Sequence, residues 1–152
     1  MLRFLLATVV CLSLLVGCDF DQSSNRSGIE FVGPSDTWAS QADEYETAEV
    51  YAAYKEQISG PPPPSSPLAE TLGKRGDAAL DLLVADISSG DRAILYGYSH
   101  VLLEMRRLGA EDFCANEDSK SKLLEAFRSA ASREPLWRPY SYHRGHLAQI
   151  CS

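Results

Sequence analysis

Strand-like alternation is missing from this 152-residue sequence: no stretch alternates apolar and polar residues over the length of a β-strand. That absence points to an all-α domain. No serine sits in a nucleophile-elbow pattern and no glycine loop has the spacing that cradles phosphate, so two common enzyme chemistries find no footing. No internal repeat is present either. Positive charge is scarce: 14 Lys and Arg stand against 21 Asp and Glu, a formal net charge of −7. Such a surface argues against nucleic acid and against electrostatic attachment to anionic lipid, and favours solubility or a cationic protein partner. Long apolar runs are also lacking. The uncharged run from Phe4 to Val16 falls short of the roughly 20 residues that a membrane span needs.

What that run does have is Arg3 before it and Leu15-Val16-Gly17-Cys18 at its end. A charged start, a short apolar core and a small-residue end read as a signal peptide over 1–17. The last four residues resemble the bacterial lipobox. The resemblance implies a diacylglycerol thioether on Cys18, cleavage between Gly17 and Cys18, and usually acylation of the new amine. Several acyl chains make a durable anchor, because each buried methylene contributes about 0.8 kcal/mol and one chain alone holds only marginally. Asp19 resembles the residue that retains lipoproteins in the inner membrane of enteric bacteria. The expected location is therefore the cell envelope, with the domain outside the cytoplasm on the periplasmic side.

Of the four cysteines, Cys11 leaves with the signal and Cys18 takes the lipid. Cys114 and Cys151 remain, and in an oxidising envelope an even pair is most simply a disulfide.

Residues 18–35 are polar and small, with Gly28, Gly33 and Pro34 as breakers, and read as a tether in which Ile29, Phe31 and Val32 can make a short contact. The domain, 36–152, is expected to be a small bundle of four to five helices. The first, over about 37–58, follows from the spacing of Thr47, Val50, Tyr51, Tyr54 and Ile58. Four consecutive prolines in the stretch 60–67 make a stiff connection. Pro67 suits a first helical position, and the second helix runs over about 67–88, with Gly73 and Gly76 as candidate breaks. The clearest helix covers about 91–108: Asp91 caps it, Gly109 stops it, and Ile94, Tyr98, Val101, Leu102, Met105 and Leu108 form its apolar stripe. Two more helices are predicted over about 119–132 and 142–151, separated by Pro135 and Pro139.

Three constellations deserve chemical scrutiny. His143 and His146 lie three apart and, with Cys151, give H-x2-H-x4-C, a spacing able to share a metal; two partly exposed polar side chains are the simpler reading. His100 and Glu104 are one turn apart, as a general base and its orienting group would be, but they share their face with Arg107, as a solvated ion pair would. The third is a surface. Tyr45, Tyr51 and Tyr54 mingle with carboxylates in "DEYETAEVYAAY", while Glu111, Asp112, Glu117 and Asp118 crowd the loop around Cys114. Tyrosine supplies contact area at low entropic cost and an acidic rim steers a basic partner, so Glu111, Asp112, Glu117, Asp118, Tyr45 and Tyr51 are the candidate partner-binding residues.

"GDRAILYGYSHVLLEMRRLGAEDFC", then "LLEAFRSAASREPLW" and a terminal Cys, is similar to the small all-helical periplasmic immunity proteins of the Tai-like family, which neutralise peptidoglycan amidase toxins of type VI secretion. The shared features are Gly97-Tyr98 within a helix, Phe113-Cys114 after it, an amphipathic helix with a Pro-containing end, and the last Cys. They cover under half of the chain. The first helical region lacks the further cysteine of that family, and Ser99-His100 follows Gly97-Tyr98 where a second small residue is expected. The resemblance implies a non-enzymatic inhibitor that plugs a toxin's cleft, often as a homodimer.

The expectation is thus a membrane-anchored lipoprotein without cofactor or resident metal that binds another envelope or incoming toxin protein, in its sharper form as an immunity-type inhibitor. The alternatives are a scaffold or assembly factor of an envelope complex and, in another class, a metal-dependent hydrolase using His143 and His146.

Overall fold

A computed structural model describes residues 28–29, 31, 37–59, 67–108, 113–133 and 139–152. Among these, seven helices and no strand are found: α1 (Trp38–Ala42), α2 (Thr47–Ser59), α3 (Pro67–Lys74), α4 (Asp77–Ser89), α5 (Arg92–Leu108), α6 (Glu117–Arg133) and α7 (Tyr140–Ile150). The all-α class holds. All five expected helical stretches are present, and two of them are divided. Residues 1–27, with the lipobox, the proline run 60–66, and Gly109, Glu111 and Asp112 lie outside the described residues.

The first expected helix is interrupted at Asp43–Glu46, and local capping explains why. Glu49 sits in the first turn of α2, and its carboxylate accepts the Glu46 backbone N–H at 3.0 Å, the return half of a capping box. A new helix therefore starts at Thr47, although the apolar period runs straight through the junction. Arg75 secures this junction from the other side, donating to the Ala42 carbonyl at 2.8 Å and to Thr47 Oγ1 at 3.3 Å.

The second division falls at Gly76, whose φ of +54° lies in the left-handed region that favours glycine. Gly73, three residues earlier, stays helical. Its role is close approach: a Cβ there would meet Glu104 Cβ at 2.7 Å and the backbone of Glu104 and Met105 at 2.9 Å, so α3 and α5 touch almost backbone to backbone.

α5 is the central helix, packed by α2, α3, α4 and α7, and α6 rests on α4 and α7. Asp91 caps α5 as expected, its Oδ1 accepting the Ile94 N–H at 3.2 Å. Ile94, Tyr98, Val101, Leu102 and Met105 are all buried, the stripe the spacing foretold, with Leu108 half-buried at its end. They join Val50, Leu72, Leu83, Ile87, Leu123 and Phe127 in one continuous core. Gly97 lets α2 close on α5, where Tyr54 donates its hydroxyl proton to the Gly97 carbonyl at 2.5 Å.

Lys55 of α2 bridges Asp86 at 2.8 Å and Asp91 at 2.7 Å, tying α2 to the α4–α5 corner. Partial burial opposes the ammonium charge, but the two carboxylates outweigh it and the Lys55 pKa is raised. Asn116 caps α6, its Oδ1 accepting from Asp118 and Ser119 N–H, so that helix begins at Glu117, two residues before the expected start.

Cys114 and Cys151 form a disulfide, with Cα atoms 5.3 Å apart and a sequence separation of 37. It fixes the C-terminal end of α7 to the segment that leads into α6. Arg106 adds a second fastening at the same end, donating to the Ile150 carbonyl at 2.5 Å.

Candidate functional site

The sharpest chemical signal in the sequence was the His143/His146/Cys151 spacing, and the structure takes it apart. Cys151 is oxidised to Cys114 and is not a thiolate ligand. His143 is not a partly exposed surface residue: only 2% of it is accessible, and its ring lies flat on Phe127, with centroids 4.6 Å apart and planes within 7°. His146 is half-buried. Both imidazoles turn Nδ1 to one acceptor-donor, the buried Tyr98 hydroxyl, at 3.2 Å from His143 and 3.0 Å from His146. Among the described residues no group of three or more His, Cys, Asp or Glu is placed to hold a metal ion.

His100 and Glu104 do not form a dyad. Glu104 accepts from Arg107 Nε at 2.6 Å, the ion pair that the shared face implied, and Arg107, pulled by that carboxylate, has its pKa raised. His100 Nδ1 is buried without a hydrogen-bond partner.

The surface constellation divides differently from its reading in sequence. Tyr51 does not face a partner. It is core, 5% exposed, with its hydroxyl donating to the Leu82 carbonyl at 3.3 Å, because α2 turns the Val50, Tyr51 and Tyr54 face inward. Glu117 and Asp118 are exposed in the first turn of α6, where the helix dipole favours carboxylates, and Glu117 pairs with Lys120 at 2.5 Å. Tyr45 is exposed, and it has company. Phe31 stacks on Trp38 with centroids 5.5 Å apart and meets the edge of Tyr45 at 6.2 Å. Phe31 and Trp38 are half-buried against the core, while Asp43, Glu44, Glu46 and Glu49, close to Tyr45 in the chain, are all exposed; the segment 37–54 has no Lys or Arg of its own, and Arg75 reaches its Ala42 carbonyl and Thr47.

This aromatic and acidic face is the candidate site. It can bury apolar area against a partner while its carboxylates and ring faces both attract cations. Trp38 is the residue the sequence reading missed. Its signal was available, a large aromatic beside the tether, but the ring cluster needs Phe31 to fold back across it.

An open groove of about 800 Å³ between α4 and α6 is a separate feature, lined by Val84 and Ser88 on one side and by Ser121, Lys122, Glu125 and Ser129 on the other.

Compared with known proteins, the chain matches no protein-family model, no curated protein and no solved structure. The similarity to the Tai-like proteins therefore rests on the quoted residues alone. No described helix is long and apolar enough to cross a membrane.

Proposed function

We propose that this protein is an envelope lipoprotein, anchored through Cys18, that acts without catalysis by binding a cationic partner protein at the Phe31, Trp38 and Tyr45 face. One observation carries the reading: the half-buried Phe31 packs on both Trp38 and the exposed Tyr45, and the exposed carboxylates Asp43, Glu44, Glu46 and Glu49 lie close to Tyr45 in the chain. Aromatic anchors inside a charged rim are the usual composition of a binding hot spot and the surface that steers its partner. Phe31 is thirteen residues beyond Cys18, a reach of no more than about 45 Å, so the face is held within that distance of the bilayer. In its sharper form the partner is a cell-wall-degrading toxin and the protein is its inhibitor. A resident envelope complex would make it a scaffold.

The test is affinity capture from envelope extracts, with the full-length protein in detergent as bait, beside a variant carrying Asp43→Lys, Glu44→Lys and Glu46→Lys. Glu49 is left in place because it caps α2. One stoichiometric protein, lost in the variant and lost at high salt, is expected. Equal capture by both baits, or none by either, would overturn the reading. The identity of the captured protein separates inhibitor from scaffold.

A further inference from the structure

Nothing in the sequence from Trp38 to Ser59 breaks a helix: it holds no Gly or Pro, and Asp43, where α1 stops, already has helical backbone angles of φ −63° and ψ −20°. The helical bond across the break would run from the Glu46 N–H to the Ala42 carbonyl. Both of its ends are taken. The carbonyl accepts from the Arg75 guanidinium at 2.8 Å and from the Tyr45 N–H at 3.2 Å, while the Glu46 N–H donates to the Glu49 carboxylate at 3.0 Å. The same guanidinium donates to Thr47 Oγ1 at 3.3 Å, so one half-buried cation just after α3 grips the chain on both sides of the turn. Hydrogen bonds made by ionised groups are about twice as strong as neutral ones, so these two together outcompete the single backbone bond that they replace.

We propose that Arg75 and Glu49 form a latch that withholds this one helical bond and holds the Asp43–Glu46 turn open, and that Arg75 is thereby the positioning residue of the Phe31, Trp38 and Tyr45 face. Its bearing on binding rests on the function proposed above; the latch itself does not. Asp43, Glu44, Tyr45 and Glu46 all stand on the turn, and the turn aims α1, which begins at Trp38. With the latch removed, the Glu46 N–H returns to the Ala42 carbonyl and α1 joins α2 in one helix. The re-aimed α1 then draws Ala42, now fully buried, and Trp38 from their places against the core. Thr71 opposes this only weakly, through a long hydroxyl bond of 3.4 Å to the Ala39 carbonyl. One segment thus has two packings, and two charged side chains decide between them.

Backbone ¹³Cα shifts and amide exchange, read by NMR on the full chain in neutral detergent, test the latch. In a variant carrying Arg75→Met and Glu49→Ala, the shifts of 43–46 are expected to move to helical values. Arg75→Lys keeps a cation that reaches the Ala42 carbonyl and is expected to keep the turn. Should the double variant fail to fold, Glu49→Ala alone supplies the answer: Glu49 is exposed, and its loss should speed exchange of the Glu46 amide about tenfold or more while amides of α3 and α4 hold theirs. Shifts of 43–46 that stay as they are in the double variant, or move to the coil values that a merely structural Arg75 would give, would overturn the latch, as would an unaltered Glu46 exchange rate in Glu49→Ala. Capture from envelope extracts tests the positioning role separately. Removing a cation from an acidic face should by charge alone strengthen capture of a cationic partner, so a protein retained by Glu49→Ala and by Arg75→Lys but lost by the double variant is the expected result. Equal capture by Glu49→Ala and by the double variant with its turn closed would overturn the positioning role, while the lysine variant of Asp43, Glu44 and Glu46 continues to decide the binding reading.

Discussion

Gly73 and Gly145 both lie inside helices, and replacing either by alanine should change stability in opposite directions. Helix propensity alone favours Ala over Gly by about 1 kcal/mol at an interior position. At Gly145 nothing lies within 4 Å of the added Cβ, so the gain is realised and Gly145→Ala should stabilise by about 0.5–1 kcal/mol. At Gly73 the same Cβ would sit 2.7 Å from Glu104 Cβ and 2.9 Å from backbone atoms of Glu104 and Met105. A flexible side-chain tip could yield, but backbone in the middle of α5 cannot without separating the two helices. Overpacking of this kind costs about 1–3 kcal/mol or more, so the net effect should be a loss of about 1–2 kcal/mol. The two variants should then differ by about 1.5–3 kcal/mol, roughly 10 °C in Tm for a domain of this size. Urea titration followed by helical circular dichroism reads the difference directly, provided the slopes of the two curves agree. Stabilisation by Gly73→Ala would refute the close α3–α5 contact, and destabilisation by Gly145→Ala would refute the open space around α7.

Cys114→Ser removes a cross-link that closes a loop of 37 residues, and should cost about 4 kcal/mol in the chain-entropy model, with the unmodified protein showing the same loss in reductant; equal melts with and without reductant would contradict it. Burial, with Asp86 and Asp91 adding to it for Tyr51, raises the pKa of Tyr51 and Tyr54 well above the ordinary tyrosine value. Their folded-state stabilisation is complete below about pH 10, the unfolded value, and declines as pH rises beyond it, because the unfolded chain releases those protons first. The last step of phenolate absorbance should accordingly appear together with the loss of helicity in strong alkali, and ionisation of all seven tyrosines while the helices persist would count against the buried assignments. Cys18→Ser should shift the protein from membrane to soluble fractions, and unchanged partition in that variant would sink the lipid anchor.

The class of the fold and the course of α5 were legible because a helix that is buried along one stripe writes its period into the chain. Asp91, Ile94, Tyr98, Val101, Leu102 and Met105 needed no knowledge of what they pack against. The disulfide was legible for a simpler reason, since an even pair of cysteines outside the expected leader is most simply a disulfide. The interruptions were harder. Periodicity continues across Asp43–Glu46, and only the carboxylate of Glu49 turning back on the Glu46 N–H restarts the helix. Gly73 and Gly76 look alike in sequence, yet one serves a partner helix and the other a left-handed backbone, a distinction that requires α5 to be in place. The histidines show the same limit. Their three-residue spacing suggests a shared ligand, while their actual partner is Tyr98, forty-five residues away from His143. Tyr51 and Tyr45 sit in one tyrosine-rich run and part company because α2 begins between them.

Site-specific photo-crosslinking in living cells tests the central claim most directly. A photoreactive residue would replace Tyr45 in the full-length protein, and in a parallel strain the exposed Arg128 on α6. Binding at the aromatic and acidic face predicts one discrete adduct with another envelope protein from position 45 and none from position 128. No adduct at position 45, or the same adducts from both positions, would contradict it.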